Sequence, residues 1–282
     1  MAFGSFLNVC LSRWPQRESV VTPRSHCRHC GHVLAWYENV PLVSWLALRG
    51  RCRTCGAWIG WRYPLVELAV GGLWAAVVWR FLSWSPVAGL RGQTLSRGIA
   101  ASVGLLVLFW LLIALAVLDA ENLWLPDWLT LPGIALGFAY AVALLPFGGE
   151  LILARWGNSI PARAAIASII EMLAAAGLVL LIRGIYWLIR RREGIGLGDA
   201  KLMAMLAAWL GLSGALLAFG LGVVFGALVA IILLLVPGNR RGDGTWALRK
   251  LPLGTFLCVG GIVSALWGQP IIAAYLHWAG FR

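Results

Sequence analysis

The sequence predicts an all-α integral membrane protein: a bundle of about eight transmembrane helices, the first one abbreviated, with a small cytoplasmic zinc-binding loop domain. Three observations predict it. The 282 residues are 61% hydrophobic and only 12% charged, whereas a soluble domain is nearer half apolar and a quarter charged. The apolar residues gather into long runs separated by basic segments punctuated with Gly and Pro. Two Cys-x-x-Cys pairs stand together in the one sizeable polar segment. The 34 glycines and 17 tryptophans fit the same class, because Gly permits close helix contacts and Trp anchors at membrane interfaces.

Met1 to Leu11 is apolar but shorter than the roughly 20 residues a span requires, so it reads as the end of a span. No charged start with a cleavage site marks a signal peptide. Residues 12–63 are polar, basic and rich in turn formers. Apolar stretches then follow near 64–84, 99–118, 128–147, 164–189, 200–212, 214–236 and 252–277. The stretch at 200–212 is short, and Gly211-Leu212-Ser213-Gly214 makes a tight turn to its neighbour. The chain thus divides at 1–11, 12–63 and 64–282. No repeat is visible, and an inverted repeat is the mark of a transporter.

Alternating the spans across a bilayer puts residues 12–63 on one side with the loops at 119–127, 183–201 and 237–251. That side collects most of the 23 basic residues, including Arg190-Arg191-Arg192, Arg240, Arg241, Arg249 and Lys250. The bias makes it cytoplasmic. The net charge of +12 is therefore a topology signal. No stripe of basic and aromatic residues offers a track for nucleic acid, and the partner this charge implies is the lipid bilayer.

Cys27, Cys30, Cys52 and Cys55 have the spacing of a zinc ribbon. Each pair is followed by Gly (Gly31, Gly56), where a left-handed turn is useful. Four thiolates complete a tetrahedral structural zinc and leave no open position. His26, His29 and His32 flank the first pair and are not needed as ligands. A redox dithiol pair is the alternative.

Asp119 and Asp199 both fall on the cytoplasmic side, next to apolar runs. An acid at membrane depth is costly unless it is paired, hydrated or used. Asp199 opens a helix, where it serves as a plain N-cap on the simplest view. Asp119 closes one, where the helix dipole disfavours it. Asp127, after Pro126, has the better capping role, and Asp243 lies in a Gly-rich, solvated loop. Two neighbouring carboxylates share a proton: one takes a proton from water attacking a peptide carbonyl, the other donates to the leaving amine. Gly196 and Gly198 let the backbone turn tightly and approach a substrate strand. On the residues alone the pair fits a proteolytic dyad, an ion or proton pathway, or structural roles. Lys201 is read as a headgroup contact or a catalytic group. Glu67 pairs with Arg62 or faces the bundle interior, Glu171 snorkels near a helix end, and the tryptophans are mostly an interfacial belt, not a binding cage.

Taken in order, several motifs resemble one family. They are Gly4-Ser5-Phe6-Leu7-Asn8-Val9, Pro23-Arg24-Ser25-His26-Cys27 with its second Cys-x-x-Cys, Arg62-Tyr63-Pro64-Leu65-Val66-Glu67-Leu68, and Leu118-Asp119 with Leu125-Pro126-Asp127. Gly196-Leu197-Gly198-Asp199-Ala200-Lys201-Leu202 completes the set. The chain resembles the bacterial prepilin peptidases, or type IV leader peptidases, which are membrane aspartic proteases of the GxGD class. The resemblance implies catalytic aspartates at Asp119 and Asp199 and a cytoplasmic zinc loop at Cys27, Cys30, Cys52 and Cys55. It makes 64–282 the protease domain of a multi-pass protein of the bacterial inner membrane. It also implies cleavage of the basic leader of type IV prepilins or type II secretion pseudopilins. N-methylation of the new terminus with S-adenosylmethionine accompanies cleavage in many members. Glu121 stands where the family commonly has an acid, two residues after the first catalytic Asp. Extra residues near 148–163 lengthen the interval between the aspartates, and Leu253-Gly254 replaces the end of a Pro-Phe-Gly motif. Glu121 and Glu38 are expected to attract the basic leader. The competing classes are a proton- or ion-coupled transporter, a zinc-ribbon adaptor without chemistry, and a GxGD protease of the presenilin or signal-peptide-peptidase type. The cytoplasmic tetracysteine loop argues against the last.

Overall fold

The structure, a computed structural model, describes residues 1–84, 92–144, 161–191, 196–235 and 251–280. Arg192, Arg240, Arg241, Asp243, Arg249, Lys250 and residues 148–160 of the long interval lie outside these. Among the described residues the regular structure is helical: α1 Ala2–Arg13, α2 Val43–Ala47, α3 Arg62–Trp84, α4 Gly92–Asn122, α5 Asp127–Leu144, α6 Pro161–Arg190, α7 Leu197–Leu235 and α8 Leu253–Trp278. Five of them are long and apolar enough to cross a membrane, and the apolar helix within α5 is shorter. The protein is a multi-pass membrane protein. Its chain forms two compact units, residues 1–90 and 91–282.

In the first unit α1 lies against α3. A methyl group on Gly4 would stand 2.8 Å from the Glu67 Cα, so the missing side chain is what lets the two backbones meet. Polar groups fix the register. Asn8 Nδ2 donates to the Tyr63 carbonyl at 2.9 Å, and Arg62 donates to Ser12 Oγ at 2.7 Å. Glu67 accepts the Leu42 N–H at 2.8 Å instead of simply facing a bundle interior, which ties α3 to the loop. Trp45, Trp58 and Trp61 cluster with ring centroids 4.7 to 5.9 Å apart. These three pack on one another within and beside the loop.

In the second unit α7 packs against α5, α6 and α8. Small residues make this close. A methyl on Gly260 of α8 would collide with the Ala218 carbonyl of α7, and Ser264 Oγ donates to the Gly214 carbonyl at 2.8 Å. Helices in lipid associate through such approaches, since apolar side chains gain nothing by leaving the tails. Gly133 and Gly137 of α5 leave room for Met205 and Trp209, and Trp209 Nε1 donates to the Gly133 carbonyl.

The short stretch expected at 200–212 and its neighbour are the two limbs of α7. They join at Gly211, whose φ of 72° and ψ of 171° is not helical. That region of backbone space is nearly exclusive to glycine. The break frees backbone N–H groups, and Glu171 Oε2 accepts that of Leu212 at 3.0 Å. Glu171 therefore does not snorkel at a helix end. It lies within α6 and caps the second limb of α7. The start of α4 also differs, at Gly92 instead of 99.

Candidate active site

Asp119 lies in the last turn of α4, which Leu123 closes in a left-handed conformation with φ 51°. Asp199 lies in the first turn of α7. Both are buried, 6% and 8% exposed, and they stand within electrostatic reach of each other. Buried Cys258 of α8 lies within the same reach of both.

Each carboxylate is oriented by backbone. Asp119 Oδ2 accepts the Thr255 N–H at 2.7 Å. The Thr255 hydroxyl lies 3.0 Å from the Ala116 carbonyl and 3.2 Å from the same Oδ2. The start of α8 thus delivers its free N–H groups to the acid at the end of α4, which offsets the unfavourable dipole there. Asp199 Oδ2 accepts the Gly196 N–H at 3.1 Å. Asp199 is the third residue of its helix, so this is the reach-back half of a capping box and not a plain N-cap.

Leu125 stands between the elements that carry the acids. A methyl on Gly198 would lie 3.0 Å from Leu125 Cβ, and one on Gly254 would lie 2.9 Å from both Leu125 Cδ1 and Asp119 Oδ2. Gly198 is small because Leu125 packs there, whereas Gly196 supplies the N–H held by Asp199. Gly254 and Thr255 are contacts that motif reading undervalued. The available signal was a Pro-x-Gly-Thr start of a helix beside a membrane.

Lys201 Nζ donates to Asp127 Oδ1 at 2.6 Å, pairing α7 with the first residue of α5 in an exposed ion pair. Glu121 is exposed, two residues beyond Asp119. Glu38 is not placed to draw a basic leader. It is buried, accepts the Ala35 N–H at 2.9 Å and faces His32 Nε2 at 3.2 Å. The Ala35 N–H, and after it His32, hold its carboxyl below the usual range despite desolvation.

In the first unit the sulfurs of Cys27, Cys30, Cys52 and Cys55 all lie within 4.8 Å of one another. Cys27 and Cys55 are 3.9 Å apart and Cys30 and Cys52 4.0 Å. A tetrahedron with metal–sulfur bonds of about 2.3 Å has edges of about 3.8 Å, so the thiols fit a single ion. Each pair sits in a knuckle: Gly31 and Gly56 donate back to Cys27 and Cys52 at 2.9 Å, with φ of 72° and 68°. Backbone N–H groups of Cys55 and Thr54 pull the Cys52 thiol down to about 6. His32 is engaged by Glu38, and His26 Nδ1 lies 3.0 Å from the Arg24 carbonyl.

The second unit thus carries two buried carboxylates at helix ends, and the first carries four thiols that could hold a metal ion. Residues 1–81 match the Bacterial Peptidase A24 N-terminal domain, and residues 106–231 match the Type IV leader peptidase family. The chain is 35% identical to a prepilin leader peptidase/N-methyltransferase of Stutzerimonas stutzeri, over 98% of this chain and 91% of that protein. A protein of the same name from Pseudomonas aeruginosa is 34% identical over 99% of this chain and 91% of its own length. One from Myxococcus xanthus is 40% identical over 90% of this chain and 66% of its own length. No solved structure matches. The chain belongs to the type IV leader peptidase family.

Proposed function

We propose that this chain is a membrane aspartic endopeptidase that cuts the basic leader from type IV prepilins or type II secretion pseudopilins and then N-methylates the new terminus. The observation that carries the peptidase half is the pair of buried, interacting carboxylates at Asp119 and Asp199. One aspartate takes a proton from water as the water oxygen bonds to the scissile carbonyl carbon. The other, protonated, supports the carbonyl oxygen. As the C–N bond breaks, the leaving nitrogen takes up a proton from the dyad. Thr255 and Gly196 hold the two carboxylates in place, and Glu121 lies nearby for a basic leader. The active site faces the cytoplasm across the bacterial inner membrane, in line with the basic loops. Cys27, Cys30, Cys52 and Cys55 hold a structural zinc that shapes the loop and does no chemistry.

Coexpression with a prepilin tests this. The product should lose its leader and gain the mass of one methyl group at its new N-terminus. An intact precursor beside a folded, membrane-inserted chain would refute the peptidase reading, and a cut but unmethylated product would refute the methyltransferase half alone.

A further inference from the structure

The loop between the two cysteine pairs carries an apolar face that nothing among the described residues covers. α2 has two sides. Ser44, Trp45 and, just beyond, Leu48 turn inward to the cleft between α1, the loop and the start of α3. Val43, Leu46 and Ala47 stand at i, i+3 and i+4 and make the opposite side. All three are exposed, Val43 at 62% and Leu46 at 67%. Single exposed apolar residues are ordinary on a protein surface, but a contiguous group marks a surface that meets something apolar.

The group is contiguous with α3. The Trp45 ring lies 4.7 Å from that of Trp61, and Trp45 Nε1 donates to the Ile59 carbonyl at 3.0 Å, which binds α2 to the approach to α3. Trp61, Leu65 and Leu68 then follow at i, i+4 and i+7 along one side, each more than half exposed. α3 is long and apolar enough to cross a membrane, so this stripe meets lipid. A hydrogen bond fixes the depth of α2 beside it. Glu67 Oε2 accepts the N–H of Leu42, the residue before α2, at 2.8 Å. Glu67 lies about 7.5 Å along the axis from Arg62, so α2 begins level with the second turn of α3. Arg49 and Arg51, both exposed, follow α2 in the chain. Apolar side chains flanked by cations are how a short amphipathic element lies in a membrane interface.

We propose that the outer side of α2 lies in the bilayer interface around the start of α3, with Val43, Leu46 and Ala47 at the boundary of the acyl chains and Arg49 and Arg51 at anionic lipid phosphates. The occupant of this face is lipid for two reasons. The face continues the lipid-facing side of α3, and the arginines beside it carry the charge that anionic headgroups attract. The loop that bears the four thiols is then a membrane-surface element and not a free-standing aqueous one. It is fixed at three places: where α1 meets α3, at the hydrogen bond from Leu42 to Glu67, and at α2 in lipid. None of this depends on the peptidase or methyl-transfer chemistry.

A dansyl-bearing amino acid installed at Leu46 of the full, metal-loaded chain reports what lies against this face. The chain is placed in nanodiscs of phosphatidylethanolamine and phosphatidylglycerol. Lipids brominated near the top of the acyl chain should quench the dansyl emission by about twofold or more, and more strongly than iodide dissolved in the water. Bromolipid quenching that is absent, or weaker than that by iodide, overturns the proposal. Iodide quenching then puts the face in water, and quenching by neither puts it under protein, a second copy or a partner. Should the label at Leu46 cost the chain its metal, the same label at Val43 decides by the same criterion. Arg49→Gln combined with Arg51→Gln should weaken the bromolipid effect by about twofold in these anionic discs. An unchanged effect would overturn the part given to the arginines.

Discussion

Asp119 and Asp199 are held by unequal means. Asp119 receives an N–H and faces a hydroxyl from Thr255, whereas Asp199 receives the Gly196 N–H. Asp119→Asn and Asp199→Asn should each slow prepilin cleavage by about 10²–10⁴-fold or more, the usual worth of general acid–base catalysis. Gel-based processing of a purified precursor by the folded variant measures it. Thr255→Val keeps the backbone donor and loses only the hydroxyl, so cleavage should fall by less than about tenfold, in line with about 1 kcal/mol for one hydrogen bond. Gly254→Ala should do more harm, because its methyl group would press on both Asp119 and Leu125. The acids and the thiols were legible in the sequence, because few reasons keep such residues at those places. Thr255 was not, because its partner stands 136 positions away. Glu38 was misread for a related reason: a lone acid in a basic loop looks solvated until the Ala35 turn and His32 are folded around it.

At the scale of elements, the break in α7 is the feature most open to measurement. Gly211→Ala places a side chain where φ is 72° and ψ is 171°, which should cost about 1–3 kcal/mol. Glu171→Ala removes the cap of the second limb, a loss of about 0.5–2 kcal/mol. Thermal unfolding in detergent should rank both variants below the wild type. The limbs themselves were readable from a short apolar stretch followed by Gly211-Leu212-Ser213-Gly214. The acid that stabilises the break was not, because pairing α6 with α7 is a packing choice that periodicity does not encode. The same holds for the small residues between α7 and α8: sequence shows them as frequent, and only the structure shows Gly260 against Ala218.

For the whole molecule, the four-thiol cluster and the acid pair divide between two compact units, and each makes its own demand on the solvent. Thiols bind metal only as thiolates. Protons therefore compete with a metal ion for the four sulfurs, and metal content should fall as the pH is lowered, as followed by a chromogenic chelator. Strong chelation at neutral pH should loosen the knuckles, and limited proteolysis should then cut between 24 and 60 first. The contact between Thr255 and Asp119 reaches beyond stability. The ribosome makes Asp119 long before it makes residue 255, and the carboxylate reaches its final setting only after the last helix is in the bilayer. A chain grown as far as residue 200 carries both aspartates yet still lacks Thr255, so the setting of Asp119 is among the last parts of the molecule to be completed.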